Sequence, residues 1–371
     1  MRHYYCYLFL LLAISLTLIS CSHGDNIPEY ESKVLNEILD RAPIKRIDLD
    51  TVPVSVITPD SNNIFGKEDP SIDSLLLGVI GNAISIDNKV YILDRSQNSI
   101  ITTSKDGFIV SKIYNPGRGP GEFGQIEKIF SNKHGIYLYD RKNSKVHLYD
   151  KNWNLIKSKT LKNSLGKKTY EASNKYLFLP DEVNSPNIVQ IVSPTPPFKR
   201  YYSLLPRLIP FGMQPFAYNN VRIKGNNNII VAAYIGLPFI FIFNNEFNHL
   251  KTLYFTSKKI SSIQSPPLTP KPEMPGSGVG VPTIFMGFEV LENNDLIISL
   301  GKEIYYLNAN SNLDYELISA NYLHYSNKEK QKKDGYGISA SYIDQDGDYI
   351  LVSSITEDRA YKFHIENFEK N

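Results

Sequence analysis

A pair of short apolar strands that recurs six times is the feature that most constrains the fold of this 371-residue chain. In each copy a polar turn rich in Asn, Asp, Gly or Lys precedes the first strand, and the partner strand follows after a second turn. Short strands at regular spacing, bounded by turn residues, are typical of an all-β domain. The first strands of the six copies are VYILD (90–94), IYLYD (136–140), YLFLP (176–180), IIVAA (229–233), LIISL (296–300) and YILVS (349–353).

The spacing of the copies predicts the architecture. Successive first strands start 46, 40, 53, 67 and 53 residues apart, and the shortest interval is close to the ~40–50 residues of one propeller blade. Another strand-like segment closes most copies, so each copy can supply a four-stranded antiparallel blade. We therefore predict an all-β, six-bladed β-propeller over residues 44–371. A β-sandwich or two smaller β domains is the alternative.

The two ends of the repeat array indicate how the ring closes. The sixth copy ends at FHIENFEKN, which leaves little chain for an outer strand. In contrast, IKRIDLDTV (44–52) is strand-like and has no blade of its own. We predict that this N-terminal strand completes the last blade, because a closed ring leaves no long sheet edge exposed.

The first twenty residues have the pattern of an export signal. Arg2 supplies a positive charge, and the apolar run YLFLLLAISLTLIS that follows is of signal-peptide length and too short for a secure membrane span. The run ends at LISC (18–21), which resembles the lipobox of bacterial lipoproteins, where cleavage leaves a lipidated cysteine, here Cys21. An ordinary secretory signal with a chance cysteine is the alternative. The other cysteine, Cys6, lies inside the signal, so we predict a mature chain without a disulfide.

Residues 21–43 are predicted to carry the lipid, a polar tether and a short helix. Acyl chains contribute ~0.8 kcal/mol per buried CH₂, so Cys21 would anchor the protein to a membrane of the cell envelope. We expect the outer membrane, with its periplasmic and surface sides both open. The helix is predicted within EYESKVLNEILDRAP (29–43), before Pro43. The apolar residues on one face of this helix are Val34, Leu35, Ile38 and Leu39.

Composition and charge argue against several functions. The formal net charge is +2 with no long run of one sign, whereas a nucleic-acid-binding protein needs a basic surface to neutralise phosphates. The histidines form no metal-ligand motif. The segment DQDGD (344–348) lacks the glycine at position six and the glutamate at position twelve of a calcium loop. We therefore predict neither nucleic-acid binding nor a metal or other cofactor.

The segment NPGRGPGEFGQ (115–125) is rich in glycine but does not match a phosphate-binding loop. Its glycines read G-x-G-x-G, whereas the dinucleotide fingerprint needs G-x-G-x-x-G at the start of a helix. Glycine and proline instead suit sharp turns. We interpret the segment as the connection between the first blade and the second.

The same region carries a family resemblance. The segment ISIDNKVYILDRSQNSIITTSKDGFIVSKIYNPGRGPGEF resembles the repeat of six-bladed, NHL-like β-propeller lipoproteins, in which a strand–DN–strand–D blade is often followed by G-x-G-P-G-E-[FY]. The resemblance is close over residues 79–160 and extends only as a pattern to the other blades. It implies a propeller fold and a cell-envelope lipoprotein. Because members of that family generally have no assigned activity, it implies no catalytic residue.

One face of the predicted propeller concentrates the long loops. If the strands of a blade are A to D from the channel outward, the B–C turns and the connections from D to the next blade share a face, because neighbouring strands alternate in direction. The connections at 205–218, 257–282 and 321–335 fall on this face, and long loops on a rigid scaffold often bind ligands. The candidate ligand-binding residues on this face are Arg95, Arg118, Glu122, Arg141 and Arg207.

Some of these features have structural alternatives. Arg95 and Arg141 directly follow Asp94 and Asp140, so these charges can instead hold neighbouring blades together. The proline-rich segment 257–282 can be an ordered lid or irregular packing over the channel mouth.

We predict a non-enzymatic binding or interaction module, a monomeric propeller that presents this face to a glycan, a peptide or a partner envelope protein. The alternative is a propeller enzyme, a lyase or hydrolase, with its site in the central channel. A third hypothesis is a structural subunit of an envelope complex. No set of paired carboxylates or clustered histidines on inner strands favours the enzyme, and fold alone does not fix function.

Overall fold

The computed structural model describes most of the repeat region. The predicted signal peptide, Cys21 and most of the tether lie outside the described residues, and so does most of each predicted long connection, namely 205–218, 257–282 and 321–335. The described residues are 32–57, 64–65, 80–87, 89–104, 107–161, 171–173, 175–181, 185–208, 220–262, 284–301, 303–323, 336–344, 347–354 and 360–369.

Several elements precede the repeats. They are helix α1 (Lys33–Leu39), strand β1 (Ile44–Asp48), a 3₁₀ turn (Leu49–Thr51), strand β2 (Val54–Ile57) and strand β3 (Ile64–Phe65).

Six antiparallel sheets follow, which we number as blades 1 to 6. Blade 1 consists of β4 (Ile80–Ile86), β5 (Lys89–Asp94), β6 (Ser99–Thr103) and β7 (Ile109–Ile113). Blade 2 consists of β8 (Ile126–Asn132), β9 (Gly135–Asp140), β10 (Lys145–Tyr149) and β11 (Leu155–Thr160). Blade 3 consists of β12 (Glu171–Ala172), β13 (Leu177–Pro180), β14 (Asn187–Val192) and β15 (Arg200–Pro206). Blades 4 and 5 are built on β16 (Val221–Gly225), β17 (Ile229–Tyr234), β18 (Phe239–Asn244) and β19 (His249–Thr256), and on β20 (Phe285–Val290), β21 (Leu296–Leu300), β22 (Glu303–Ala309) and β23 (Tyr315–Leu323). Blade 6 contains β24 (Tyr336–Asp344), β25 (Gly347–Ser354) and β26 (Ala360–His364). Two short helices, α2 (Lys258–Ser262) and α3 (Glu366–Glu369), follow β19 and β26.

The blades form a ring around a central channel. The innermost strand of each blade contacts the innermost strand of the next, in the order β4, β8, β12, β16, β20 and β24, and β24 contacts β4 again. The six-bladed all-β propeller predicted from the repeats is confirmed.

Burial explains why the second strands read as continuous apolar runs. Strands β9 and β17 are buried along their whole length, because neighbouring blades cover both faces of each sheet. Apolar clusters therefore lie between consecutive blades, and the cluster between blades 3 and 4 includes Phe178 and Phe241.

The predicted N-terminal helix is observed as α1. Ser32 caps it by accepting a hydrogen bond from the backbone N–H of Leu35, at 3.3 Å. Leu35, Ile38 and Leu39 are buried in the cluster between blades 3 and 4, so the helix packs on the propeller. Among the described residues, no helix is long and apolar enough to cross a membrane.

An N-terminal strand closes the ring, but our prediction that residues 44–52 do so is wrong. Strand β3 pairs antiparallel with β26 and completes blade 6. Residues 44–48 instead pair parallel with β19 on the outside of blade 4. They lie there because Ile47 and Leu49 are buried in the apolar cluster between blades 4 and 5.

The N-terminal residues thus follow the outside of the ring. Strand β2 pairs parallel with β23 of blade 5, between the blades that receive β1 and β3. As a result, blades 4 and 5 have five strands rather than the predicted four, and their outer edges are covered.

Candidate functional site

Two of the candidate arginines converge on one carboxylate at the boundary of blades 1 and 2. Arg95 lies in the turn between β5 and β6, and Arg141 lies in the equivalent turn between β9 and β10. Their guanidinium groups each lie 3.7 Å from a different carboxylate oxygen of Glu127, on the innermost strand β8. Arg95 also donates a hydrogen bond to the backbone carbonyl of Glu127, at 3.2 Å.

This cluster is accessible and carries excess positive charge. Each arginine side chain is 44% exposed, whereas Glu127 is 15% exposed. Two guanidinium groups and one carboxylate give this three-residue cluster one positive unit, and the buried carboxylates of Asp94 and Asp140 beside it are occupied by hydrogen bonds from nearby turn and connection residues. Within the described part of the chain, the guanidinium of Arg141 has no other hydrogen-bond or ion-pair partner. Its planar set of N–H donors is therefore available to a carboxylate, sulfate or phosphate group.

Asp140 has a structural role at this boundary. Its buried carboxylate accepts hydrogen bonds from the backbone N–H groups of Gly124, Gln125 and Asn143, at 2.7, 3.1 and 3.2 Å. Burial alone would raise the pKa of Asp140, but the adjacent His147 side chain and these N–H groups lower it to about 2. Asp140 thus holds the connection between blades 1 and 2 onto strand β9. Asp94 similarly accepts hydrogen bonds from Ser96 and Gln97 in its own turn.

The glycine-rich segment 115–125 is a blade-to-blade connection, as we predicted, and its own glutamate occupies the backbone donors. Glu122 Oε2 accepts hydrogen bonds from the N–H groups of Arg118 and Gly119, at 2.9 and 2.8 Å. A Cβ atom on Gly117 would overlap this carboxylate, so glycine is needed there for the close approach. Adjacent backbone N–H groups can bind an external anion, but here Glu122 takes that position.

Arg207 lies on blade 3 and contacts the turn of its own blade. It donates hydrogen bonds to the backbone carbonyls of Ser185 and Asn187, at 3.2 and 3.4 Å. Burial lowers the pKa of Arg207, and the charge of nearby Asp181 opposes this shift. Asp181 also forms a 2.7 Å ion pair with Arg200.

The structure therefore divides the five candidate residues into three groups. Arg95 and Arg141 come together around Glu127, and Arg118 and Glu122 shape the glycine-rich connection. Arg207 secures the turn of blade 3.

Three charged side chains on the innermost strands were missed by sequence reasoning. One is Glu127, and the other two are Lys224 on β16 and Glu289 on β20, which form an ion pair with a nitrogen–oxygen distance of 3.2 Å. In VRIKG (221–225), the buried Val221 and Ile223 alternate with the less buried Arg222 and Lys224, and this alternation is a signal that could have located Lys224.

A Ser–His–Asp arrangement in blade 2 does not have the geometry of a catalytic triad. His147 Nδ1 lies 2.8 Å from Ser158 Oγ, but His147 Nε2 lies 3.9 Å from Asp140 Oδ2. The second distance is too long for the hydrogen bond that would orient the imidazole. Among the described residues, no group of three His, Cys, Asp or Glu side chains could hold a metal ion.

Comparison with known proteins supports the fold. A family model described as a 6-bladed beta-propeller matches residues 71–270, which is more than half of the chain. A search of curated proteins found no match.

Several solved structures are similar to the chain at low identity. A member of the duf4221 family from Bacteroides vulgatus has a TM-score of 0.47 and 12% identity, over 84% of this chain and 96% of that one. A Bacteroides fragilis protein inferred to be exported has a TM-score of 0.45 and 13% identity, over 88% and 81%. Virginiamycin B lyase from Staphylococcus aureus has a TM-score of 0.45 and 14% identity, over 78% and 96%. At identities and TM-scores this low, the similarity does not indicate a function.

Proposed function

We propose that this chain, which belongs to the 6-bladed beta-propeller family, is a binding module that recognises an acidic group on its loop-rich face. The observation that carries the proposal is the convergence of Arg95 and Arg141 on Glu127. The ligand is a glycan, a peptide or an envelope protein that bears a carboxylate or sulfate.

The geometry of the cluster supports an anion rather than a cation. Glu127 is flanked on both oxygens and is mostly buried, so its charge is already compensated. The two arginines are half-exposed and belong to equivalent turns of adjacent blades. An acidic group placed between them would gain bidentate, charge-assisted hydrogen bonds, and the rigid blades would hold both donors in place.

Thermal unfolding of the purified protein tests the proposal. The probe is an acidic peptide beside its esterified, uncharged counterpart. A ligand at 100 times its dissociation constant stabilises the folded state by ~2.7 kcal/mol, so we expect a clear shift with an acidic probe and none with its ester.

The matched variants are Arg95→Ala/Arg141→Ala and, as a control, Lys151→Ala. Both arginine side chains are 44% exposed, but their removal leaves the mostly buried Glu127 carboxylate unpaired, at a cost of about 1–3 kcal/mol, so each thermal shift is measured against the ligand-free double variant. We expect it to lose the thermal shift. Lys151 forms an exposed ion pair with Asp87 at the opposite face, and its removal should leave the shift unchanged. A shift that survives in the double variant would refute the proposed site.

A channel enzyme is the second candidate, because Lys224 and Glu289 form an ion pair on inner strands. A buried carboxylate beside an amine is a possible acid–base pair. Stabilisation of the wild type by divalent metals alone in the same assay, together with its loss in Glu289→Gln, would favour this function over the binding module.

The proposed location is the cell envelope, with a lipid on Cys21 and the outer membrane as the site of attachment. The LISC sequence at residues 18–21 supports it. Labelled fatty acid should be incorporated into the wild-type protein and not into Cys21→Ala, which should also leave the membrane fraction. Equal incorporation in both proteins would contradict lipidation at this residue.

A further inference from the structure

A pocket of about 430 Å³ opens on the face opposite to the arginine cluster. It lies among the A–B and C–D turns of three consecutive blades, namely 2, 3 and 4. Its volume is within the range of small-molecule sites, which is about 300–1,000 Å³. The lining residues that matter for its chemistry are Lys133, His134, Lys175, Tyr176, Tyr201 and Phe247.

One wall of the pocket is a fixed cluster of aromatic rings. Tyr176 lies at the centre, with its ring centroid 4.9 Å from that of Phe247 and 6.2 Å from that of Tyr201. The Tyr176 hydroxyl donates a hydrogen bond to the backbone carbonyl of Asn245, at 3.0 Å, which ties blade 3 to blade 4. The Tyr201 side chain is 53% exposed. An apolar ring surface is thus held open to solvent on a rigid support.

The angles between these rings select the shape of the ligand. Tyr176 is inclined by 54° to Phe247 and by 77° to Tyr201. Neither ring pair is parallel, so neither can hold a flat aromatic ligand between two stacked rings. A puckered ring with one apolar C–H face and outward polar groups fits such tilted walls better. A pyranose sugar has this form.

The charges at the rim select the sign of the ligand. Lys133 and Lys175 come from the A–B turns of blades 2 and 3, and His134 lies beside Lys133. No acidic side chain lines the pocket within the described residues. Burial raises the pKa of Tyr176, and the negative charge of nearby Glu246 raises it further. The two lysines in the lining still favour an anion over a cation.

We infer that this pocket is a second binding site, separate from the arginine cluster, and that it takes an acidic sugar residue. The sugar ring packs on Tyr201 and Tyr176, and its carboxylate or sulfate pairs with Lys175 and Lys133. The two anionic groups share this chemistry, and the test separates them.

Isothermal titration calorimetry of the full chain tests the inference. The probes are trigalacturonate, its methyl ester and a sulfated maltotriose, together with benzoate as a flat aromatic acid. We expect a charged oligosaccharide to bind and the ester to bind about tenfold more weakly or not at all. Preference for trigalacturonate or for sulfated maltotriose identifies the anion. Absence of binding by both, or tighter binding of benzoate, would overturn the assignment.

Matched variants locate the binding. Tyr201→Ala removes an exposed ring and Lys175→Ala removes a turn lysine, so neither should prevent folding, and each should weaken binding about tenfold. The controls are Tyr114→Ala, another exposed tyrosine, and Lys151→Ala, a lysine on the same face outside the pocket lining. Arg95→Ala/Arg141→Ala should also leave this binding unchanged, which keeps the two sites distinguishable. Equal affinity in Tyr201→Ala, Lys175→Ala and wild type would refute the pocket as the site.

Discussion

Replacing Asp140 by Asn tests how the boundary between blades 1 and 2 is held together. The carboxylate is fully buried and accepts hydrogen bonds from the N–H groups of Gly124, Gln125 and Asn143. Asparagine has the same shape but only one acceptor atom, so its amide would place a donor against one of these N–H groups. An unpaired buried donor costs about 1–3 kcal/mol.

The lost charge adds a second, pH-dependent cost. Burial opposes ionisation, but His147 and the backbone N–H groups lower the pKa of Asp140 from 3.8 to about 2. A carboxylate with a lowered folded pKa stabilises the fold above its unfolded pKa, and this stabilisation is lost as the pH falls from 3.8 through about 2. The shift corresponds to about 2 kcal/mol at neutral pH.

Urea unfolding at neutral pH and near pH 2 measures both costs. We expect Asp140→Asn to be destabilised at neutral pH by about 2–4 kcal/mol, which is less than the sum of the two costs because the same N–H groups contribute to both. The difference from wild type should shrink by about 2 kcal/mol in acid. Asp150→Asn is the control, since Asp150 accepts similar hydrogen bonds from the backbone N–H groups of Asn152 and Asn154 in a turn at the surface. A difference that is constant with pH, or equal effects of both substitutions, would refute the reasoning.

Three further predictions concern the scaffold. Gly117→Ala should destabilise the protein by about 1–3 kcal/mol because the new methyl group overlaps the Glu122 carboxylate. In urea unfolding, adding Glu122→Ala should relieve part of this cost, so strictly additive effects of the two substitutions would contradict the prediction. Ile47→Ala should cost about 2–4 kcal/mol because Ile47 is buried between blades 4 and 5, whereas the exposed Lys45→Ala should have little effect, so equal unfolding midpoints would argue against a structural role of β1. Burial lowers the pKa of His249 to about 4, so its NMR signals should remain those of a neutral ring down to about pH 5. The protein should lose stability as the pH falls from 6.5 to about 4, because the unfolded chain binds the proton more readily. Titration of the His249 signals near pH 6.5 would contradict this prediction.

The repeat architecture could be predicted because burial leaves a direct mark on the sequence. The second strand of each blade is covered by both neighbouring blades, so segments such as IYLYD and IIVAA have no polar residue in their middle. The polar turns between strands then fix the period. This pattern does not depend on any contact that is distant in sequence.

The position of the N-terminal strands could not be predicted in the same way. IKRID pairs by backbone hydrogen bonds, which any open outer edge offers, and its position depends on the burial of Ile47 and the following Leu49 between blades 4 and 5. The strand that closes the ring, Ile64–Phe65, has two residues, which is too short for a sequence pattern.

The candidate sites were predictable to different degrees. Arg95 and Arg141 follow from equivalent turns of adjacent blades. Their shared partner Glu127 was missed because a register irregularity between Ile126 and Lys128 interrupts the alternation that assigns side chains to faces. The opposite pocket was missed because its residues come from three blades and span 133–247.

The proposed function requires acidic ligands to bind between the arginines of blades 1 and 2. The most direct measurement is a crystal structure of the protein with the acidic peptide that gives the largest thermal shift. We expect its carboxylate or sulfate within hydrogen-bond distance of the Arg141 and Arg95 guanidinium groups. A probe bound instead in the channel beside Lys224 and Glu289, with the arginine cluster unoccupied, would contradict the claim.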